Sequence, residues 1–240
     1  MLSISLIMGF AYLLEACFGF GGAWIAIPLL TLSMSPKDAV FLMLVFQCLK
    51  VVLLIPAWKH ISWKSMNLLP IGMFFGIILG VGILDVVSPR LFKLGLAIYL
   101  MGFVISDYVN SKMIRREWLG AKNGSLIYGF FGGIISGITG MGAPPYVTYL
   151  RTMKLDKLAF RASIIFIVSI SNFFRLFLDA HDIIHNEVVL NNFLPCLVVF
   201  VLVSVIGSHL PKFLSEKTFK HSINAMLLGS SLMLFYKVFV

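Results

Sequence analysis

Hydrophobic positions along this chain come in long runs, not in alternation. Apolar stretches occupy about 1–18, 23–34, 39–58, 65–84, 91–110, 124–139, 143–150, 158–178, 188–210 and 222–240, and polar residues gather in the short gaps between them. About 20 apolar residues in a helix cross roughly 30 Å of hydrocarbon, and six of the runs are long enough. The other four fall into two pairs, 1–18 with 23–34 and 124–139 with 143–150. In each pair the combined length is too great for one upright span, and the second limb is too short to cross alone. The pattern predicts an all-α integral membrane protein.

What separates the limbs of each pair is glycine, which sustains a helix poorly. The first break reads Gly19-Phe-Gly21-Gly22-Ala23-Trp-Ile-Ala-Ile-Pro28-Leu-Leu, and the second reads Ser136-Gly-Ile-Thr-Gly140-Met-Gly142-Ala143-Pro144-Pro145. Gly140 and Gly142 follow Gly19 and Gly21 by 121 residues, and the order of a broken element followed by three spans recurs on either side of a polar linker. The chain therefore reads as two membrane repeats, 1–110 and 123–240, joined by the linker 111–122. Outside the breaks the match is loose, with Lys37-Asp-Ala39 echoing Lys157-Leu-Ala159.

Composition agrees with this reading. Of 240 residues 60% are apolar and 12% charged, and the mean hydropathy is +0.99, so too little polar surface exists for a soluble domain of this size. The net charge of +9 sits mainly in loops between apolar runs, which fits positive-inside topology better than a nucleic-acid face. Cys17, Cys48 and Cys196 all lie in apolar runs and read as packing residues, not a disulfide framework. The apolar N-terminus lacks a basic leader and carries Glu15, so it is expected to belong to the mature protein.

Loop charges also bear on how the broken elements run. If both cross the bilayer, the loop and terminal lysines and arginines divide seven against nine and give no orientation; if both enter and leave on one face, they divide twelve against four. The re-entrant arrangement is therefore expected, with the twelve, including those of linker 111–122, on the cytoplasmic side. Three full crossings per half then make the two repeats inverted. The eighteen residues of the first limb are long for such a hairpin, so a fully crossing first element stays open.

An interrupted helix survives in lipid where it lines a cavity or packs inside protein. Half-helices starting near Ala23 and Ala143 present free amides and the positive end of the helix dipole, which favours a small anion. The binding candidates are thus Gly19, Gly21, Gly22 and Ala23 with Gly140, Gly142 and Ala143. Close packing of small residues competes with this reading for either cluster alone, and the symmetric placement of two favours a functional break. Lys50 lies mid-run, where an unpartnered ammonium is costly, so it serves either as a packing partner of Glu15 or as an anion contact. Arg161 and Arg175 bracket a span that carries Asn172; snorkelling competes for Arg161, pairing with Asp179 for Arg175, and helix-to-helix hydrogen bonding for Asn172. Glu15, Asp107 and His209 titrate and lie in or beside apolar runs, which makes them candidates for coupling to a proton, with sodium the other possible driving ion. The stretch Asp179-Ala-His181-Asp-Ile-Ile-His185-Asn-Glu187 is expected to be a solvated outer loop and not a metal site.

Gly19-Phe-Gly-Gly-Ala with Pro28-Leu-Leu, Gly137-Ile-Thr-Gly-Met-Gly-Ala-Pro-Pro and Phe160-Arg-Ala-Ser163 resemble the TauE/SafE (TSUP) family of sulfite exporters over nearly the whole chain. Ala23 stands where that family commonly has a third glycine, and Ser163 where threonine is frequent. The resemblance implies an inner-membrane carrier for sulfite, sulfoacetate or a related organosulfonate, with no cofactor. No GxxxxGK[ST] sequence occurs, so no ATP site is expected. Two other classes are weighed against a carrier: a passive anion channel, and an intramembrane enzyme using Ser136 and His209, which lacks the Gly-x-Ser-Gly pattern of an intramembrane serine protease.

Overall fold

In lipid a segment has no water to satisfy its amides and carbonyls, and a helix satisfies them internally. Where they are described, the apolar runs are accordingly helical. The computed structural model describes residues 2–18, 22–50, 59–109, 121–153, 155–207, 227–229, 231–236 and 238. The helices are α1 (Leu2–Phe18), α2 (Gly22–Leu30), α3 (Pro36–Lys50), α4 (Leu69–Val86), α5 (Pro89–Val109), α6 (Ala121–Thr139), α7 (Ala143–Thr152), α8 (Lys157–Ile184) and α9 (Glu187–Gly207), followed by helical residues 227–229 and 231–236. No strand occurs among the described residues. Leu69–Val86, Leu158–Ile184 and Glu187–Ile206 are each long and apolar enough to cross a membrane.

Helix starts are set by local chemistry. Ser35 Oγ accepts from Asp38 N at 3.1 Å to begin α3, and Asp156 Oδ1 accepts from Ala159 N at 2.8 Å to begin α8. These two caps are themselves 121 residues apart, so the register of the glycine breaks extends past them. Asn186 Oδ1 accepts from Val189 N at 3.0 Å ahead of α9, while its Nδ2 donates to Asp38 Oδ1 at 2.7 Å.

One expectation is corrected here. The stretch after Asp179 is not a loop, because α8 continues to Ile184. Asp179 lies one turn beyond Arg175 and is buried against it, which carries the helix through, whereas His181, Asp182, His185 and Glu187 are exposed.

The chain divides into two compact units. One comprises Met1–Met43, Val87–Met113 and Ile184–Val240; the other comprises Leu44–Val86 and Ile114–Ile183. In the first, α1 packs along α9; in the second, α4 packs along α6. By the order of elements α1 corresponds to α6 and α9 to α4, so each broken element is braced by a helix from the opposite half of the sequence.

The α4 to α6 contact rests on glycine. Gly72, Gly76 and Gly80 on α4 and Gly129, Gly133 and Gly137 on α6 recur every fourth residue. A Cβ on any of them would collide with a carbonyl oxygen of the facing helix: Leu126, Phe130 and Ile134 for the first three, and Leu69, Met73 and Ile77 for the others. The helices run parallel, with backbone against backbone, a contact that only small residues permit in lipid. The glycine Cα–H bonds then point at carbonyls, each such weak hydrogen bond contributing about 0.5–1 kcal/mol. The opposite face of α4 exposes Ile71, Phe75, Ile78 and Leu79, as a lipid-facing surface does.

Candidate functional site

At the second break the chain turns back on itself. Gly140 has φ 72°, a left-handed conformation that a side chain would strain, and the Thr139 hydroxyl accepts from Met141 N at 3.1 Å across the turn. Beyond it α7 runs back along α6. Gly142 lies against the Gly132 carbonyl and Ser136, the Tyr146 ring covers Gly132, and the Tyr149 ring lies 6.0 Å from that of Tyr128. With ten residues α7 is about 15 Å long.

The start of α7 is buried and carries no side-chain cap, its N-cap being Gly142. Ordinarily four amides are left over at such a start. Pro144 and Pro145 occupy the first turn, so only Gly142 and Ala143 have amides to offer.

Beside this turn lies a charged group that sequence reasoning set down only as the partner of Asp179. Arg175 is fully buried; its Nε donates to Asp179 Oδ2 at 3.1 Å and its Nη1 donates to the Ser136 carbonyl at the end of α6. A cation is favoured at a helix C-terminus. Among the described residues its Nη2 has no hydrogen-bond partner. On the same face of α8, Ser171 Oγ lies 2.7 Å from Ser136 Oγ and 3.5 Å from the Tyr146 hydroxyl, and Asn172 is buried. Arg175 and Ser171 are one helical turn apart, which is the signal that places both at one break.

The first break has the same outline in the other unit. Gly22 begins α2, and a Cβ there would meet the Ala11 carbonyl at 3.0 Å and Glu15 Cβ at 3.2 Å. Ala11 and Glu15 stand 121 residues before Gly132 and Ser136, the contacts of Gly142, so the two hairpins agree to within one residue. Here, however, a Glu15 carboxylate oxygen touches Gly22, where the second hairpin has the Cβ of Ser136 against Gly142. Glu15, Gly22 and Ala23 are all buried.

Of the remaining predicted site residues, Gly19, Gly21 and His209 lie outside the described residues. Lys50 ends α3, Arg161 lies in the second turn of α8 and Asp107 near the end of α5, and the side chains of all three fall outside the described residues.

A family model described as Sulfite exporter TauE/SafE matches residues 4–234. The chain belongs to this family. It is thus one of a family of exporters, not of enzymes. A relative from Cupriavidus necator, named a probable sulfite/organosulfonate exporter TauE, is 24% identical over 181 residues, covering 73% of this chain and 70% of its own length. No solved structure matches.

Proposed function

We propose that this TauE/SafE protein is a secondary carrier of a small sulfur-containing anion, sulfite, sulfoacetate or a related sulfonate, across the bacterial inner membrane. The observation that carries the reading is the chain reversal at Gly140 to Gly142, which leaves an uncapped, buried helix start of about half-membrane length. Two such hairpins entering from opposite faces form two inverted repeats, each with three full crossings, and place the linker 111–122 in the cytoplasm. The carrier works by alternating access around the hairpins.

Binding falls to the segments Gly19 to Ala23 and Gly140 to Ala143, with Lys50, Asn172 and Arg161 as polar contributors along the pathway. Glu15, Asp107 and His209 are the groups through which a proton gradient would act, with sodium as the other candidate driving ion. Labelled sulfite uptake into vesicles, with and without an imposed ion gradient, tests the reading. Gradient-dependent accumulation is expected. Downhill leak alone would make the protein a channel, and no flux of sulfite or sulfonates would overturn the assignment.

A further inference from the structure

We propose that Arg175 is the anion-docking cation of the second hairpin, with Nη2 and the Ser136, Ser171 and Tyr146 hydroxyls receiving the oxygens of a sulfite or sulfonate group. The inference rests on the carrier reading above and adds the specific binding group to it. Two observations point to a ligand independently of each other. The start of α7 is buried and uncapped, and next to it a fully buried guanidinium holds one nitrogen without a hydrogen-bond partner among the described residues. Such an unmade charged hydrogen bond is costly in a low-dielectric interior, and native proteins rarely keep one without use.

The donors can be counted. Arg175 spends Nε on Asp179 and Nη1 on the Ser136 carbonyl, which leaves the protons of Nη2. Tyr146, Ser171 and Ser136 form a chain of three hydroxyls joined by two links, which use two of their three protons. The amides of Gly142 and Ala143 complete the set. The SO₃ group of sulfite or a sulfonate offers three acceptor oxygens to these donors, while the carboxylates of Asp179 and Asp85 both act on the same guanidinium.

Asp179 sets the strength of the site. Its carboxylate partly neutralises Arg175, so the resident charge pair holds the guanidinium in place while moderating its grip on an incoming anion. A carrier must also let go of its cargo.

Thermal stabilisation and equilibrium binding of sulfite, methanesulfonate and chloride to the purified full-length protein test this. For the unmodified protein sulfite and methanesulfonate are expected to raise the unfolding temperature and chloride to do so far less. Arg175→Lys keeps the charge but loses the fork, and is expected to weaken sulfite binding roughly tenfold or more. Asp179→Asn is expected to lower the unfolding temperature of the free protein yet tighten sulfite binding several-fold, a gain that a purely structural ion pair would not give. Should Arg175→Lys fail to fold, the Asp179→Asn affinity decides alone. Unchanged affinity in Asp179→Asn, or in a folded Arg175→Lys, overturns the docking role and leaves the carrier intact. Absence of sulfite and methanesulfonate binding by the unmodified protein removes the carrier reading, and this inference with it.

Discussion

The two hairpins share a plan and differ in chemistry. In α1/α2 the start of the second limb lies against a carboxylate, Glu15; in α6/α7 the same position is a serine, and a guanidinium stands nearby with a nitrogen unbonded. A helix start that already holds an anion of its own has little attraction left for another, whereas one flanked by an underused cation has more. On the carrier reading, the second hairpin is expected to hold the cargo more strongly than the first. The same register puts Lys50 at the position of Ser171, so the duplication has kept the frame while its polar residues diverged.

Their supports differ as well. The α4 to α6 contact is backbone on backbone through six glycines, but α1 meets α9 largely through side chains: Gly9 faces Val199, the Tyr12 and Phe200 rings meet edge to face at 4.8 Å, and Ser5 Oγ lies 3.7 Å from Cys196 Sγ. Side chains at a contact yield by rotamer changes, and backbone does not. The α4 to α6 contact is therefore expected to give less under substitution than the α1 to α9 contact.

The largest effect should come from breaking this difference. Gly133→Leu sets a side chain against the Met73 carbonyl and Gly76, and is expected to cost about 3 kcal/mol or more, enough to remove folded protein from a detergent extract. Gly9→Ala meets side chains alone, Val199 Cγ1 most closely, and is expected to cost about 1 kcal/mol. Equal losses in chemical unfolding of the two variants would show that the supports are equivalent.

Next in size is the hairpin itself. A Cβ on Gly142 would lie 2.6 Å from both the Gly132 carbonyl and Ser136 Cβ, so Gly142→Leu is expected to push α7 off α6. Transport should fall by about a hundredfold, the loss that a misplacement of about 1 Å brings to a reacting site, while the protein still inserts. Normal flux would take the break out of the mechanism. A smaller effect is expected at the first hairpin, where Glu15→Gln preserves shape and removes only charge. Sulfite exchange should persist, gradient-driven accumulation should disappear, and the unfolding free energy should fall by about 1 kcal/mol as the dipole loses its partner.

Much of this was written in the chain. The breaks, the 121-residue register and the prolines at the start of α7 followed from glycine and proline chemistry, and the limbs begin at Gly22 and Ala143, at or beside the expected positions. The exchange of bracing helices was not legible, because a repeat gives the order of elements and not which copy packs on which. Its signal was nonetheless present in the matched four-residue spacing of glycines on α4 and α6, a pattern considered for the breaks and not for the spans. Arg175 was legible as the partner of Asp179 but not as a buried group, because the sequence puts Asp179 in a loop and only continuation of α8 to Ile184 buries the pair.

The smallest prediction sharpens the account of the glycines. Gly82 lies two residues beyond Gly80 on α4, which turns it to the far side of the helix, and a Cβ placed there meets nothing within 4 Å. A glycine inside a helix costs about 0.5–1 kcal/mol relative to alanine through the backbone freedom it must surrender. If the α4 glycines serve close approach, Gly82→Ala should gain about that amount in chemical unfolding and leave sulfite flux unchanged, while Gly80→Ala, set against the Ile134 carbonyl, loses stability. If they instead make α4 pliable for transport, Gly82→Ala should slow flux although it touches nothing. The sign of the stability change and the flux of this one variant separate packing from pliability.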